Sequence, residues 1–129
     1  MSEVKHIPGT YYTVNPQAVN EPLDVFTANR RDVAIIQARL SNSPLNTTCP
    51  VGVVAVGALL VGSIFWDKEA GQAVEKGEGL GGFKYGGSTV IVIFPEGKVQ
   101  WDEDLKRASC GASIEMLVQA GEQIGRAVR

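Results

Sequence analysis

Glycine placement constrains this chain most. Fifteen of its 129 residues are Gly, and six of them fall in the 13 residues from Glu75 to Gly87, EKGEGLGGFKYGG. Gly costs a helix about 1 kcal/mol per interior position, yet it opens tight turns and close strand contacts to the backbone. Such a segment is loop or tight turn, and the excess favours a β-rich chain over a helix bundle. Aromatic residues make up only 7%, so the core must be built mostly from Val, Ile, Leu and Ala.

The stretch Cys49–Trp66, CPVGVVAVGALLVGSIFW, runs 18 residues without a charge. Its length reaches the lower limit for a membrane-spanning helix. Its Pro50, glycines and β-branched Val instead suggest two buried strands, near Val51–Val56 and Ala58–Phe65. Ser88–Phe94, STVIVIF, is the clearest strand; being almost wholly apolar, it is expected to be central and buried on both faces. Tyr11–Val14 favours a strand, ended by Asn15-Pro16. Leu23–Asn29 fits a short strand or a helical turn. Asp32–Leu40 reads as a strand, with a helix competing. Ser41–Thr48 reads as a loop. Pro95–Lys98 turns the chain, so that Val99–Trp101 could pair back as a hairpin arm, and Asp102–Arg107 reads as exposed.

A short pattern occurs twice. Val74-Glu-Lys-Gly77-Glu78-Gly-Leu80-Gly81 matches Val118-Gln-Ala-Gly121-Glu122-Gln-Ile124-Gly125 as V-x-x-G-E-x-[LI]-G, 44 residues apart. The inner Gly suits a turn with positive φ, and the apolar residue and last Gly open the next strand. Such corners recur in small sandwiched β barrels. The competing reading of this tail is an amphipathic helix over Ser113–Val128, which two interior Gly disfavour. The expected fold is therefore mainly β: one small barrel-like or sandwiched domain over 1–129, with short helical turns.

Twelve basic against 14 acidic side chains give a formal charge of −2, which argues against broad binding to nucleic acid or anionic lipid. Cys49 and Cys110 cannot make a four-ligand zinc site by themselves, and their spacing suggests no disulfide. No metal site is expected, and the acidic run Asp102-Glu103-Asp104 reads as a solvated turn. The one histidine, His6, reads as an exposed polar residue near the N-terminus. The first residues form neither a signal peptide nor an Arg-rich presequence.

The segment Tyr85-Gly86-Gly87-Ser88-Thr89 stands immediately before the apolar strand. Gly on the acyl side strips steric cover from the Gly87 carbonyl and tolerates strained geometry. Ser88 Oγ can attack that carbonyl, moving the acyl group from nitrogen to oxygen. β-Elimination of the resulting ester leaves dehydroalanine, which hydrolyses to a pyruvoyl group and ammonia. G-G-S-T alone is common in turns and does not establish this chemistry.

The larger pattern carries more weight. PGTYYTVNPQAV, TANRRDVAII, VAVGALLVGSI, KGEGLGGFKYGGSTVIVIF, WDEDL and the closing E-x-x-V-x-x-G-E-x-I-G occur in this order over nearly the whole chain. In these segments the sequence resembles the pyruvoyl-dependent phosphatidylserine decarboxylases, most closely their eukaryotic-type branch. The resemblance implies a zymogen that cleaves itself between Gly87 and Ser88. Residues 1–87 would end a β chain and 88–129 would form an α chain. Ser88 would become the pyruvoyl cofactor, forming a Schiff base with the amine of phosphatidylserine and drawing off the electrons released with CO2. The product would be phosphatidylethanolamine, and association with a membrane surface is implied.

Two departures set further expectations. The family has a longer N-terminal part with a His and an Asp that activate the serine, and His6 does not match that His position, so an upstream β-chain segment is expected to be a required partner. The family also usually has a second acid where this chain has Glu78-Gly79. A missing general base would slow Ser88 activation by roughly 10²–10⁴-fold. Absent partner strands would leave exposed edges that favour association, homo-oligomers included. Two other readings stay open from the residues: a pyruvoyl-dependent decarboxylase of a free, aromatic amino acid, and a non-catalytic fragment.

Overall fold

The structure is a computed structural model that describes residues 1–39, 48–59, 63–85 and 88–128. It is mainly β, with strands β1 (Lys5–Ile7), β2 (Arg31–Ala38), β3 (Cys49–Val56), β4 (Ile64–Trp66), β5 (Gly81–Phe83), β6 (Thr89–Ile93), β7 (Val99–Trp101) and β8 (Gly125–Ala127). Three one-turn helices accompany them: α1 (Pro16–Val19), α2 (Val25–Ala28) and α3 (Glu103–Lys106). The chain divides into two compact units, Met1–Gln37 with Pro50–Ile93, and Ala38–Cys49 with Phe94–Arg129.

The first unit holds an open four-stranded sheet of order β1-β2-β3-β6. β3 and β6 are antiparallel, with Val56 opposite Thr89 and Gly52 opposite Ile93. Alternate residues of a strand share a face; on β3 that places Val51, Val53 and Ala55 inward, all buried. Among the described residues the buried apolar side chains are Val and Ala alone, in keeping with the scarcity of aromatics. β4 and β5 form a separate hairpin, Ile64 facing Phe83 and Trp66 facing Gly81.

Several elements differ from expectation. The apolar strand, β6, is not central and not buried on both faces: Val90 is 53% and Ile93 57% exposed. It lies at the sheet's edge, where apolarity of sequence does not by itself recruit a cover. Tyr11–Val14 is not a strand; the neighbouring Thr10 makes only an isolated parallel bridge to Asn29. Leu23–Asn29 resolves to the helical turn α2, capped by Asp24, whose Oδ1 accepts from Thr27 N at 3.2 Å. Hydrogen bonds from Thr27 hold the Asp24 carboxyl below its usual value. β3 occupies the first expected strand of the uncharged run, but only Ile64–Trp66 is strand in the second, and residues 60–62 lie outside those described. The expected loop at 41–48 also falls largely outside them. The sheet of the first unit is open rather than closed into a barrel.

In the second unit Val99–Trp101 does not pair back onto β6. It pairs with β8, Trp101 facing Gly125. The repeat explains this, and it is structural rather than coincidental. Gly77 and Gly121 both take positive φ, 83° and 86°. Glu78 Oε2 accepts from Glu75 N at 2.9 Å, and Glu122 Oε2 from Gln119 N at 2.8 Å. Asp67 N donates to Leu80 O at 2.9 Å, and Asp102 N to Ile124 O at 3.1 Å. Each copy therefore folds its last Gly against a Trp-Asp pair, Trp66-Asp67 or Trp101-Asp102. The second copy spends its longer connection on α3 and a π-helical turn at Arg107–Gly111.

Glu78 also pairs with Lys68. Its carboxyl sits below the usual glutamate value, first because Glu75 N–H donates to it and then because of Lys68. A lowered folded pKa means this contribution to stability is present above the ordinary glutamate pKa and is lost as pH falls through the folded one. Glu78→Gln is accordingly expected to lower the denaturant midpoint modestly at neutral pH and to flatten its acid limb, so that variant and wild type converge at low pH. An unchanged acid limb would contradict the role.

Candidate functional site

Ser88 lies just before β6, half-buried. Continuing the β3–β6 register by one step sets Gly57 across from it. Its Oγ is buried and has no hydrogen-bond partner among the described residues. Unpartnered buried hydroxyls are uncommon and cost about 1–3 kcal/mol, so this one is a candidate for chemistry. Gly87, the expected cleavage partner, lies outside the described residues. The chain approaching it turns at Tyr85, whose φ of 74° is left-handed, a conformation that side chains with a Cβ generally avoid.

Two fully buried polar residues lie in the same unit, and sequence reasoning singled out neither. Asn29 ends α2. Its Oδ1 accepts from Tyr12 N at 2.9 Å and Thr10 Oγ1 at 3.2 Å, and its Nδ2 donates to Tyr12 O at 2.8 Å and Gly57 O at 2.9 Å. Its side-chain amide is thus fully used. The available signal was a lone Asn between a short helical run and a strand.

Asp32 is the other. It is buried on β2, where Oδ2 accepts from Trp66 Nε1 at 3.1 Å. His6 Nδ1 lies 2.9 Å from Oδ1, close enough for an ion pair but without hydrogen-bond geometry, since Oδ1 has no hydrogen-bond partner. His6 itself is 65% exposed, as expected, and stands on β1 opposite Asp32. β1 and β6 are opposite edges of the sheet. Three strand spacings of ~4.8 Å separate them, roughly 14 Å, so His6 is out of reach of Ser88. Glu78 is engaged in closing its own turn and in pairing with Lys68.

A groove of about 170 Å³ lies in the same unit. Val53, Ala55 and Val90 of the sheet line one wall, and Ile64, Trp66 and Phe83 the other. Val90 is two residues from Ser88, hence on the same strand face. Among the described residues no group of three His, Cys, Asp or Glu could hold a metal ion, and no helix is long and apolar enough to cross a membrane.

Comparison with known proteins fits this arrangement. The profile of the family described as phosphatidylserine decarboxylase matches residues 1–126. Phosphatidylserine decarboxylase proenzyme 2 of Oryza sativa subsp. japonica is 45% identical over 124 residues, which are 95% of this chain and 19% of that protein. A proenzyme 2 of Komagataella phaffii is 42% identical over 97% of this chain and 12% of its own length. The proenzyme of Ruminiclostridium cellulolyticum is 34% identical over 98% of this chain and 39% of its own length. The chain thus spans well under half the length of each. No solved structure matches. With a profile match over almost every residue and relatives in fungi, plants and bacteria, the chain belongs to the phosphatidylserine decarboxylase family.

Proposed function

We propose that this chain carries the self-cleaving serine of a phosphatidylserine decarboxylase, with Ser88 as the nucleophile and Gly87–Ser88 as the bond broken. The observation that carries the reading is the buried Ser88 Oγ, without a hydrogen-bond partner among the described residues and placed directly after the Gly-Gly pair in a chain of this family. Attack of Oγ on the Gly87 carbonyl forms the ester as the amide C–N bond breaks and the nitrogen takes a proton. Loss of the Ser88 Cα proton then expels the Gly87 carboxylate, and water releases ammonia from the dehydroalanine. The pyruvoyl group so made supplies an electron-withdrawing carbonyl conjugated to its amide, which stabilises the charge left when CO2 departs.

The orphaned hydroxyl fits this fate. A group destined for conversion needs no permanent hydrogen bond, and a partner held in place would compete with attack. The groove beside Val90 gives the same face an apolar wall. His6 does not serve as base here, so the proton acceptor is assigned to the upstream part of a longer enzyme, acting as a partner. The substrate we assign is phosphatidylserine, met at a membrane surface. The relatives cited above all bear that name, and nothing favours a free aromatic amino acid.

Intact-mass analysis tests this. The chain is combined in trans with the preceding portion of the Komagataella phaffii relative. Cleavage should release residues 88–129 with a blocked N-terminus, and the mixture should liberate CO2 from phosphatidylserine vesicles but not from free amino acids. Ser88→Ala should abolish both. A persistent, unmodified 13.8 kDa chain would remove the proposal.

A further inference from the structure

Asn29 connects to the serine through one backbone segment. Its Nδ2 donates to Gly57 O, in a bond buried from solvent. The next residue, Arg30, accepts from Gly57 N through its carbonyl at 2.9 Å. Gly57 is thus gripped on both sides by consecutive residues, and it stands one step beyond Val56↔Thr89, the last pair of the β3–β6 register, where continuing that register meets Ser88. The other half of the Asn29 amide closes a ring with Tyr12 N and O. Tyr11 O, one residue earlier, accepts from Leu59 N at 3.1 Å. Leu59 is held at φ 47°, a conformation that persists in a residue with a Cβ when its surroundings fix it. One buried side chain therefore ties Thr10 and Tyr12 to Gly57, a backbone bond ties Tyr11 to Leu59, and the tied segment continues directly from the strand end paired with Thr89.

We infer that Asn29 is a positioning residue for the self-cleavage of the Gly87–Ser88 bond. It acts through Gly57, by fixing the strand end against which Ser88 is registered. The inference rests on the serine reading given above. Structural stability alone would not require this arrangement: Asn29 could cap α2 and hold Tyr12 without reaching a third segment. Attack within a chain depends steeply on placement, and a displacement of about 1 Å can cost 10²-fold in rate.

The test uses the same in-trans system and follows cleavage at 87–88 by intact mass. Asn29→Asp is nearly isosteric but presents a carboxylate to Tyr12 O and Gly57 O, which need donors. For samples that melt cooperatively well above the assay temperature, cleavage at neutral pH should slow on the order of 10²-fold. As pH falls and the new carboxyl gains a proton, it regains one donor. The wild-type-to-variant rate ratio should then shrink, a profile that a uniformly folded but merely weakened protein would not give. Asn29→Ser, which keeps a single small donor, is the second variant if Asn29→Asp does not fold at neutral pH. Either Asn29 variant, folded and cleaving at the wild-type rate across the pH range, overturns the inference alone. Absence of cleavage in the wild-type mixture overturns the serine reading and this inference with it.

Discussion

Gly81→Ala should strongly destabilise the first unit. Gly81 has φ 150°, and a Cβ there would stand 2.1 Å from Phe65 O and 2.8 Å from Trp66 Cα. Both obstacles are backbone of the paired strand, so no rotamer change relieves them. The hairpin must open or the register must slip. Strain and lost pairing together are expected to cost about 3–5 kcal/mol, against a total of about 5–15 kcal/mol for a domain. The repeat supplies a second instance: at Gly125 a Cβ would lie 2.7 Å from Gln100 O, so Gly125→Ala should also destabilise. Gly79, two residues away, is the control. Its nearest neighbour to a Cβ is Asp67 Oδ2 at 3.8 Å, and Gly79→Ala should be neutral or stabilising by up to about 1 kcal/mol. Urea denaturation of the three variants decides it. Equal midpoints for Gly81→Ala and Gly79→Ala would refute the close-approach argument.

Trp66→Phe should cost about 3 kcal/mol, more than its lost contact area suggests. The indole N–H is the hydrogen-bond donor to Asp32 Oδ2, and Asp32 is completely buried. A buried carboxylate that loses a donor retains its desolvation cost without the compensating bond. His6, mostly exposed and poorly aligned, offsets only part of that. The cost should be conditional on the charge. Asp32→Asn in the Trp66→Phe background should recover part of it, although Asp32→Asn alone should destabilise. A double-mutant cycle from chemical denaturation measures the coupling. Simple additivity of the two substitutions would rule out the indole–carboxylate bond as the source.

Local chemistry made part of this molecule legible in advance. Gly77 and Gly121 with their following Glu residues specify a turn whose bonds close within a few residues, so the two copies could be matched from letters alone. The strand character of Arg31–Ala38 and Thr89–Ile93 likewise follows from β-branched runs. Ser88 was proposed from the Gly-Gly-Ser junction together with the ordered motifs around it, since cleavage chemistry depends on adjacent residues.

Nonlocal packing decided the rest. An apolar strand such as β6 reads the same whether central or at an edge, because its neighbours are chosen by strand order. Val99–Trp101 could have paired with β6 by proximity, but its repeat partner lay more than twenty residues downstream. Arg31-Asp32 opens β2 with two polar residues on opposite faces; which one faces inward depends on β1 and Trp66, far apart in sequence. Asn29 becomes a clamp only when residues 10–12 and Gly57 arrive beside it. By itself, then, the sequence determined the turns, the duplicated corner and the family, and it singled out Ser88 as the candidate nucleophile. Only the tertiary structure decided which strand lies at the edge, that His6 stands far from Ser88, and that Asp32 and Asn29 are buried. The physical reason is that burial and pairing are set by segments distant in the chain, while turn geometry is set by immediate neighbours.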